Sequence, residues 1–322
     1  MNNKIRNVII IGSGPAGLTA GLYLARANLK PLLFAGSKWG GQLMLTSEVE
    51  NYPGFPDGIK GPLLMEKFRE QAEKFGIEII RDEITAVNFK TRPFEVSLAK
   101  VSYRSKAVLI ATGAQTRWLG LANEQRLIGK GVSSCAPCDA FFFKDKKVIV
   151  VGGGDSAMEE TLYLTKFASS VAIVHRRDEF RASKIMEDRA RNNKKTSFIL
   201  SSEVIDVLGK DKVEGVKIKN KKDNTIKEMP IDGMFVAIGH LPVTDLFRGQ
   251  VELDEKGYVK RMTNDERLKT NANSTTDYKM MTSVKGVFVA GDVHDWHYRQ
   301  AVTAAGFGCM AALEAEKWIE AQ

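Results

Sequence analysis

The sequence predicts an α/β protein with two three-layer domains, and three observations lead to this prediction. An apolar segment, a glycine-rich turn and a helical pattern follow one another at Gly12 and again at Gly152, 140 residues later (152 minus 12). Each turn is followed by a second apolar segment, as in a βαβ unit of a parallel sheet. Both repeats then close with an apolar run and a glycine, at residues 110–113 and 237–239.

Composition limits the possible classes of protein. A chain of 322 residues that is 43% apolar fits two globular domains. No apolar run approaches the roughly 20 residues that cross a bilayer, so we expect a cytoplasmic protein without a membrane partner. The net charge of +8 could indicate nucleic acid, but the lysines near residues 217–222 alternate along an apparent strand. We therefore expect a solvated basic face and no nucleic-acid partner.

The first repeat reads as a strand at residues 6–11, a helix at 15–27 and a second strand at 31–34. Glycines in such a turn allow the backbone to approach a pyrophosphate closely at the start of the helix. The acidic residue that usually binds an adenosine ribose after the second strand is replaced by Ala35 and Gly36. Ribose binding there would have to use the backbone, Ser37 or Lys38. A helix at about 63–75 and strands at 94–98 and 107–110 follow.

The second repeat has a strand at residues 147–151, a helix that ends near 167 and a strand at 171–174. His175, Arg176 and Arg177 follow this strand. Arginine at this place accommodates a 2′-phosphate, whereas an acidic residue would select the ribose hydroxyl, so the motif favours NADPH. After residue 244 no third fingerprint occurs, and the strand near 287–289 and the helix at 301–321 are predicted to complete the first domain.

A cysteine pair, Cys135 and Cys138, precedes the second glycine turn by 14 residues (152 minus 138). Three cysteines in a chain of this length do not form a disulfide scaffold, and no set of four zinc ligands is recognisable, so we expect no metal. A redox-active pair is the better interpretation. Asp139 adjoins the pair, and one interpretation of this residue is a carboxylate that caps a helix.

These motifs together resemble the low-molecular-weight, bacterial-type thioredoxin reductases. The resemblance also includes residues 40–43 and 50–55, the segment 175–184 and the motifs at 291–293 and 298–301. It implies a discontinuous, Rossmann-like FAD domain (1–116 and 245–322) and a Rossmann-like NADPH domain (117–244) that carries the redox-active disulfide. It further implies a homodimeric flavoprotein whose partner is thioredoxin or a thioredoxin-like protein.

The resemblance also implies roles for individual residues. Cys138 would face the flavin, Cys135 would be its partner, and Asp139 would be the acid. The implied FAD-binding residues are Gly12, Ser13, Gly14, Pro15, Ala16, Gly17, Gly40, Gly41, Gln42, Asn51, Thr112, Gly113, Asp292, Arg299, Gln300 and Ala301. The implied NADPH-binding residues are Gly152, Gly154, Asp155, Ser156, Ala157, His175, Arg176, Arg177 and Arg181. Pro137 and Ala140 depart from the usual residues of the cysteine motif, which bears on its redox potential.

The predicted reaction passes hydride from NADPH to FAD and then reduces the Cys135–Cys138 disulfide, and the resulting dithiol exchanges with the disulfide of thioredoxin. Because the nicotinamide and the disulfide must each reach one flavin ring, we predict a rotation of the NADPH domain between the half-reactions. Alternatives are a reductase of another thioredoxin-like or peroxiredoxin partner, a dithiol oxidase, and a flavin-containing sensor without turnover. A peroxiredoxin reductase would carry an additional N-terminal thioredoxin-like region, which we do not expect. A dithiol oxidase would not need the arginines.

Overall fold

A computed structural model describes residues 4–262 and 278–322. Within these residues the chain forms two compact units. Of the described residues, the first unit comprises 4–44, 52–115, 241–262 and 278–322, and the second comprises 45–51 and 116–240.

A seven-stranded sheet forms the centre of the first unit. Its strands run in the order β3 (Glu78–Ile80), β2 (Leu32–Phe34), β1 (Ile5–Ile11), β6 (Ser102–Ile110), β5 (Phe94–Ser97) and β4 (Ala86–Asn88), with β17 (Val287–Val289) also on β6. β1, β2, β3, β6 and β17 pair in parallel, whereas β4, β5 and β6 pair antiparallel. The first half of β6 pairs with β5 and its second half pairs with β17.

Helices α1 (Pro15–Arg26), α2 (Gly61–Lys74) and α7 (Ala301–Glu320) complete the first unit. Small residues allow α1 and α7 to approach closely, since a Cβ added at Gly308 would lie 2.2 Å from the carbonyl oxygen of Ala16. Apolar side chains fill both faces of the sheet. The C-terminal helix therefore packs on the first helix of the chain, which makes the unit discontinuous in sequence.

The second unit repeats the same βαβ arrangement. A five-stranded parallel sheet has the order β11 (Thr196–Ile199), β10 (Ser170–Val174), β9 (Lys147–Gly152), β15 (Gly233–Ala237) and β8 (Val132–Ser133). Its helices are α3 (Ala122–Leu127), α4 (Ala136–Asp139), α5 (Asp155–Leu164) and α6 (Lys184–Arg191). An antiparallel sheet of β12 (Ser202–Leu208), β13 (Gly215–Asn220) and β14 (Ile226–Pro230) covers one side.

The chain passes from one unit to the other along two strands, β7 (Ala114–Thr116) and β16 (His240–Pro242), which pair with each other. Residues 45–51 group with the second unit, and the Ser47 hydroxyl donates a hydrogen bond to the Gly129 carbonyl oxygen. The predicted α/β class with two Rossmann-like domains is confirmed. The domain boundaries and the cofactor of each domain stay predictions, and residues 263–277 of the predicted FAD domain lie outside the described residues.

Among the described residues, no helix has the length and apolar character that crossing a membrane requires.

Candidate active site

The cysteine pair lies at the start of α4, between strand β8 and the second glycine turn. A disulfide joins Cys135 and Cys138, whose Cα atoms are 5.3 Å apart. Both cysteines are half-buried, Ala136 is buried and Pro137 is exposed. Pro137 occupies the first turn of the short helix, where its missing N–H costs no helical hydrogen bond. The departure at residue 137 is therefore compatible with the local backbone.

Asp139 follows the pair and is half-buried. Burial raises the pKa of its carboxyl group above the ordinary value, and a hydrogen bond from the Ser133 hydroxyl lowers it in part. The same Ser133 oxygen accepts a hydrogen bond of 3.1 Å from the backbone N–H of Cys135. Ser133 thus connects the acid to the backbone of the cysteine motif, a role that the sequence analysis missed.

The second glycine turn lies between β9 and α5, as the sequence predicted. A Cβ added at Gly152 would lie 2.4 Å from the Ala237 carbonyl oxygen, so the packing of the turn on β15 admits no side chain. A Cβ at Gly154 would meet nothing within 4 Å. The space beside Gly154 at the N-terminus of α5 is therefore open, and a helix N-terminus can accommodate an anion there. Ala157 is buried in the helix and Ser156 is exposed at its start.

Asp155 holds the arginine segment against this turn. One of its carboxylate oxygens accepts hydrogen bonds from the Ser183 backbone (2.7 Å) and the Ser183 hydroxyl (2.9 Å). The backbone N–H of Arg181 donates to the Gly153 carbonyl oxygen at 2.7 Å. These contacts place Arg181 beside the nucleotide turn.

Three arginines gather around this end of the second unit. Arg176, Arg177 and Arg181 have exposed side chains. Burial lowers the pKa of His175 most, and the positive charges of the three arginines lower it further. His175 itself lies beneath the turn, because a Cβ at Gly153 would be 2.3 Å from its ring. The His175 ring also stacks on Phe180. The structure therefore shows His175 supporting the turn from below, while the arginines face solvent.

The first glycine turn has the same construction. A Cβ at Gly17 would lie 1.9 Å from the Gly12 carbonyl oxygen, whereas a Cβ at Gly14 would meet nothing within 4 Å. The buried Ser13 hydroxyl donates to the Ala35 carbonyl oxygen (3.2 Å) and accepts from the Gly40 N–H (3.0 Å). Pro15 and Ala16 begin α1. This network brings the Gly40 segment onto the turn.

A buried carboxylate completes this region of the first unit. Desolvation by burial, together with the nearby Asp295, raises the pKa of Asp292 to about 7, and Arg299 acts in the opposite direction. Within the described residues, its Oδ1 is buried and has no hydrogen-bond partner. A buried acceptor without a donor is costly, so this atom fits a ligand that brings a hydroxyl or N–H group.

The remaining predicted cofactor residues are distributed as follows. Gly41 lies close to Gly14, because a Cβ added at Gly41 would be 3.3 Å from the Gly14 Cα. Gln42 is exposed in the 3₁₀ helix Gly41–Leu45. The Thr112 hydroxyl donates to the Val243 carbonyl oxygen at 2.6 Å, and the Gly113 carbonyl oxygen accepts from the Val243 N–H. Gln300 precedes α7 and Ala301 begins it. Asn51 groups with the second unit, so it is not brought together with the others within the first.

Glu83 is a carboxylate near the first glycine turn that the sequence analysis did not single out. It follows β3, which lies beside β2 in the sheet. Its Oε2 accepts a hydrogen bond of 2.9 Å from the Ser37 N–H and would be 3.3 Å from a Cβ at Gly36. It therefore stands at the place where the sequence lacks the usual acidic residue. No local signal identifies it, because 46 residues separate Glu83 from Ser37.

The chain is similar to known proteins over nearly its whole length. The family model described as pyridine nucleotide-disulphide oxidoreductase matches residues 6–308. The chain is 53% identical to a thioredoxin reductase of Streptomyces coelicolor, over 99% of this chain and 95% of that protein. It is 49% identical to a bifunctional thioredoxin reductase/thioredoxin of Mycobacterium leprae, over 99% of this chain and 67% of that protein. The crystal structure of a thioredoxin reductase from Streptococcus pyogenes superposes with a TM-score of 0.91 at 40% identity, with complete coverage of both chains.

Proposed function

The chain belongs to the thioredoxin reductases of the pyridine nucleotide-disulphide oxidoreductase family, and from this premise we propose that it reduces the disulfide of a thioredoxin with electrons from NADPH. The observation that carries the proposal is the disulfide between Cys135 and Cys138, which lies in the same unit as the second nucleotide turn. The M. leprae relative, which joins a reductase to a thioredoxin, supports this choice of partner.

The family uses a flavin and a pyridine nucleotide, and we assign the flavin as FAD at the first glycine turn. Gly14 leaves room for a pyrophosphate, and the unpartnered Oδ1 of Asp292 suits a hydroxyl donor of the flavin side chain. NADPH is assigned to the second turn, where three exposed arginines suit a 2′-phosphate. When bound, the two cofactors together supply the electron pair that reduces the disulfide.

We assign the ribose of FAD to Glu83, which stands beside Gly36 and Ser37. Replacing Glu83 with Gln should weaken FAD binding to the apoprotein by about tenfold, because one charge-assisted hydrogen bond contributes roughly 1.5–3 kcal/mol before screening by solvent. The measurement is the dissociation constant of FAD from flavin fluorescence. Glu70→Gln, an exposed change on α2, is the control, and equal affinities in the two variants would remove Glu83 from the site.

The residues around the cysteine pair perform the second half of the reaction. Reduction of the disulfide breaks the bond between the two sulfur atoms and leaves two thiols, which takes two electrons and two protons. One thiolate, assigned to Cys135, then attacks the thioredoxin disulfide and forms a mixed disulfide. Cys138 attacks the Cys135 sulfur in turn, which releases reduced thioredoxin and restores the starting bond. Asp139 directly follows Cys138 in the chain and is assigned to protonate the leaving thiolate.

Replacing Asp139 with Asn should lower turnover with thioredoxin by roughly 10²- to 10⁴-fold, the usual contribution of a general acid. Because burial raises the pKa of Asp139, the group keeps its proton to a higher pH than an ordinary carboxyl group. The rate should therefore be full at low pH and should decline as pH rises through that pKa. The Asn variant should lose this decline. Asp145→Asn, at an exposed position after the same segment, is the control.

An assay with aromatic disulfide as the final acceptor tests the proposed function. The purified protein should be yellow, should be bleached by NADPH, and should reduce the aromatic disulfide only when thioredoxin is present. Equal rates without thioredoxin, or rapid consumption of oxygen, would favour a dithiol oxidase instead.

A homodimer and a rotation of the NADPH domain are part of the proposal, and a cross-link that fixes the two domains should block turnover while nucleotide binding continues.

A further inference from the structure

The carboxylate of Glu160 contacts the backbone between the two cysteines. Its Oε2 accepts a hydrogen bond from the N–H of Ala136, which lies between Cys135 and Pro137. Ala136 is fully buried, so its N–H would be costly without an acceptor. Glu160 therefore provides the acceptor for a backbone group inside the redox motif.

Glu160 belongs to the helix that begins at the second nucleotide turn. α5 starts at Asp155, and Glu160 lies five residues further along, where the helix packs on α4. The neighbouring Glu159 is exposed to solvent, whereas Glu160 is half-buried. The helix thus presents one of two adjacent carboxylates to the cysteine motif and the other to water.

A carboxylate at this place acts differently on the two redox states of the pair. The disulfide is neutral, whereas the reduced pair carries negative charge when one thiol ionises, as thiols in such motifs commonly do. A fixed negative charge near a thiolate repels it, and solvent screens this repulsion incompletely when the carboxylate is half-buried. Glu160 should therefore disfavour the reduced form relative to the disulfide.

We propose that Glu160 is a positioning residue that holds the backbone of the cysteine motif and, through its charge, lowers the reduction potential of the Cys135–Cys138 pair. The relevant equilibrium is that of the enzyme disulfide and two molecules of glutathione with the enzyme dithiol and one glutathione disulfide. Two electrons and two protons pass from glutathione to the enzyme, so charge and atoms balance. A lower potential makes the reduced enzyme a stronger reductant of its protein substrate.

The test compares Glu160→Gln with Glu159→Gln in the flavin-loaded enzyme under anaerobic conditions. Glutamine keeps an oxygen that can accept the Ala136 hydrogen bond but removes the charge. Each protein is equilibrated with glutathione buffers, quenched with acid and alkylated, and the labelled cysteines are counted by mass spectrometry. We expect Glu160→Gln to raise the equilibrium constant for reduction about tenfold, which corresponds to about 30 mV. The equilibrium constant of Glu159→Gln should stay within about twofold of that of the unchanged enzyme. Both variants should have melting temperatures close to that of the unchanged enzyme.

Three outcomes would overturn the proposal: an unchanged or lowered equilibrium constant in Glu160→Gln, equal increases in both variants, or failure of Glu160→Gln to fold. The last would show that the carboxylate is needed for the fold itself and that glutamine does not replace it as an acceptor. The proposal depends on the proposed function only in that the cysteine pair is redox-active. The measurement uses neither NADPH nor thioredoxin, so a lack of thioredoxin turnover would contradict the proposed function and leave this test unaffected.

Discussion

Replacing Cys135 or Cys138 with serine should eliminate thioredoxin reduction, with a loss of turnover on the order of 10⁴-fold or more, as for removal of a catalytic nucleophile. Neither serine variant can form the Cys135–Cys138 disulfide that accepts the electron pair. The measurement is NADPH oxidation at saturating thioredoxin. Reduction of a small one-electron acceptor such as ferricyanide should continue at the normal rate, because this reaction bypasses the cysteines.

The two variants should differ in what they accumulate. With Cys138 replaced, the Cys135 thiolate can attack thioredoxin but no thiol resolves the product, so a stable mixed disulfide should form. When Cys135 is replaced, this mixed disulfide with thioredoxin should not form. Cys309→Ser is the control, because Cys309 is the free cysteine of the chain and lies on α7 in the other unit. Undiminished turnover in either active-site variant would refute the assignment of the pair.

Replacing Arg176 and Arg177 together with alanine should raise the Michaelis constant for NADPH roughly 10²-fold, with little change for NADH. Two charge-assisted contacts with a 2′-phosphate would be lost, and each tenfold change corresponds to about 1.4 kcal/mol, close to the lower end of the roughly 1.5–3 kcal/mol of a hydrogen bond to a charged group. The turnover number should fall much less than the Michaelis constant rises, because these side chains bind a remote part of the cofactor. Steady-state kinetics with both nucleotides provide the measurement.

Arg189→Ala is the matched control for this double variant. Arg189 is an exposed cation on α6, eight residues after Arg181 (189 minus 181), so its loss changes the net charge of the same region. It should leave the preference for NADPH unchanged. If the double variant weakened NADPH and NADH equally, the arginines would not read the 2′-phosphate.

The sequence was sufficient for the βαβ repeats because their signals are local. Apolar runs such as that before Gly12 predict buried strands, and the glycine spacing marks the turn that follows. The predicted strand at residues 6–11 and helix at 15–27 agree with β1 and α1 to within one residue at each end. The closing helix at 301–321 agrees with α7 equally well.

Contacts between residues that are distant in sequence could not be predicted in the same way. Glu160 is 24 residues from Ala136, and Glu83 is 46 residues from Ser37, so neither contact has a pattern in the chain. His175 shows a related difficulty. Its motif predicted a cofactor ligand, but the absence of a side chain at Gly153 lets the imidazole pack beneath the turn. That His175 also contacts the nucleotide stays a prediction.

The most direct test of the central claim is a single turnover under anaerobic conditions with one equivalent of NADPH. Before thioredoxin is added, alkylation and mass spectrometry should find Cys135 and Cys138 labelled as thiols. After oxidised thioredoxin is added, one disulfide of thioredoxin should be reduced for each NADPH consumed, and the enzyme disulfide should return. Consumption of NADPH while Cys135 and Cys138 stay joined, or a reduced pair that never transfers electrons to thioredoxin, would contradict the account.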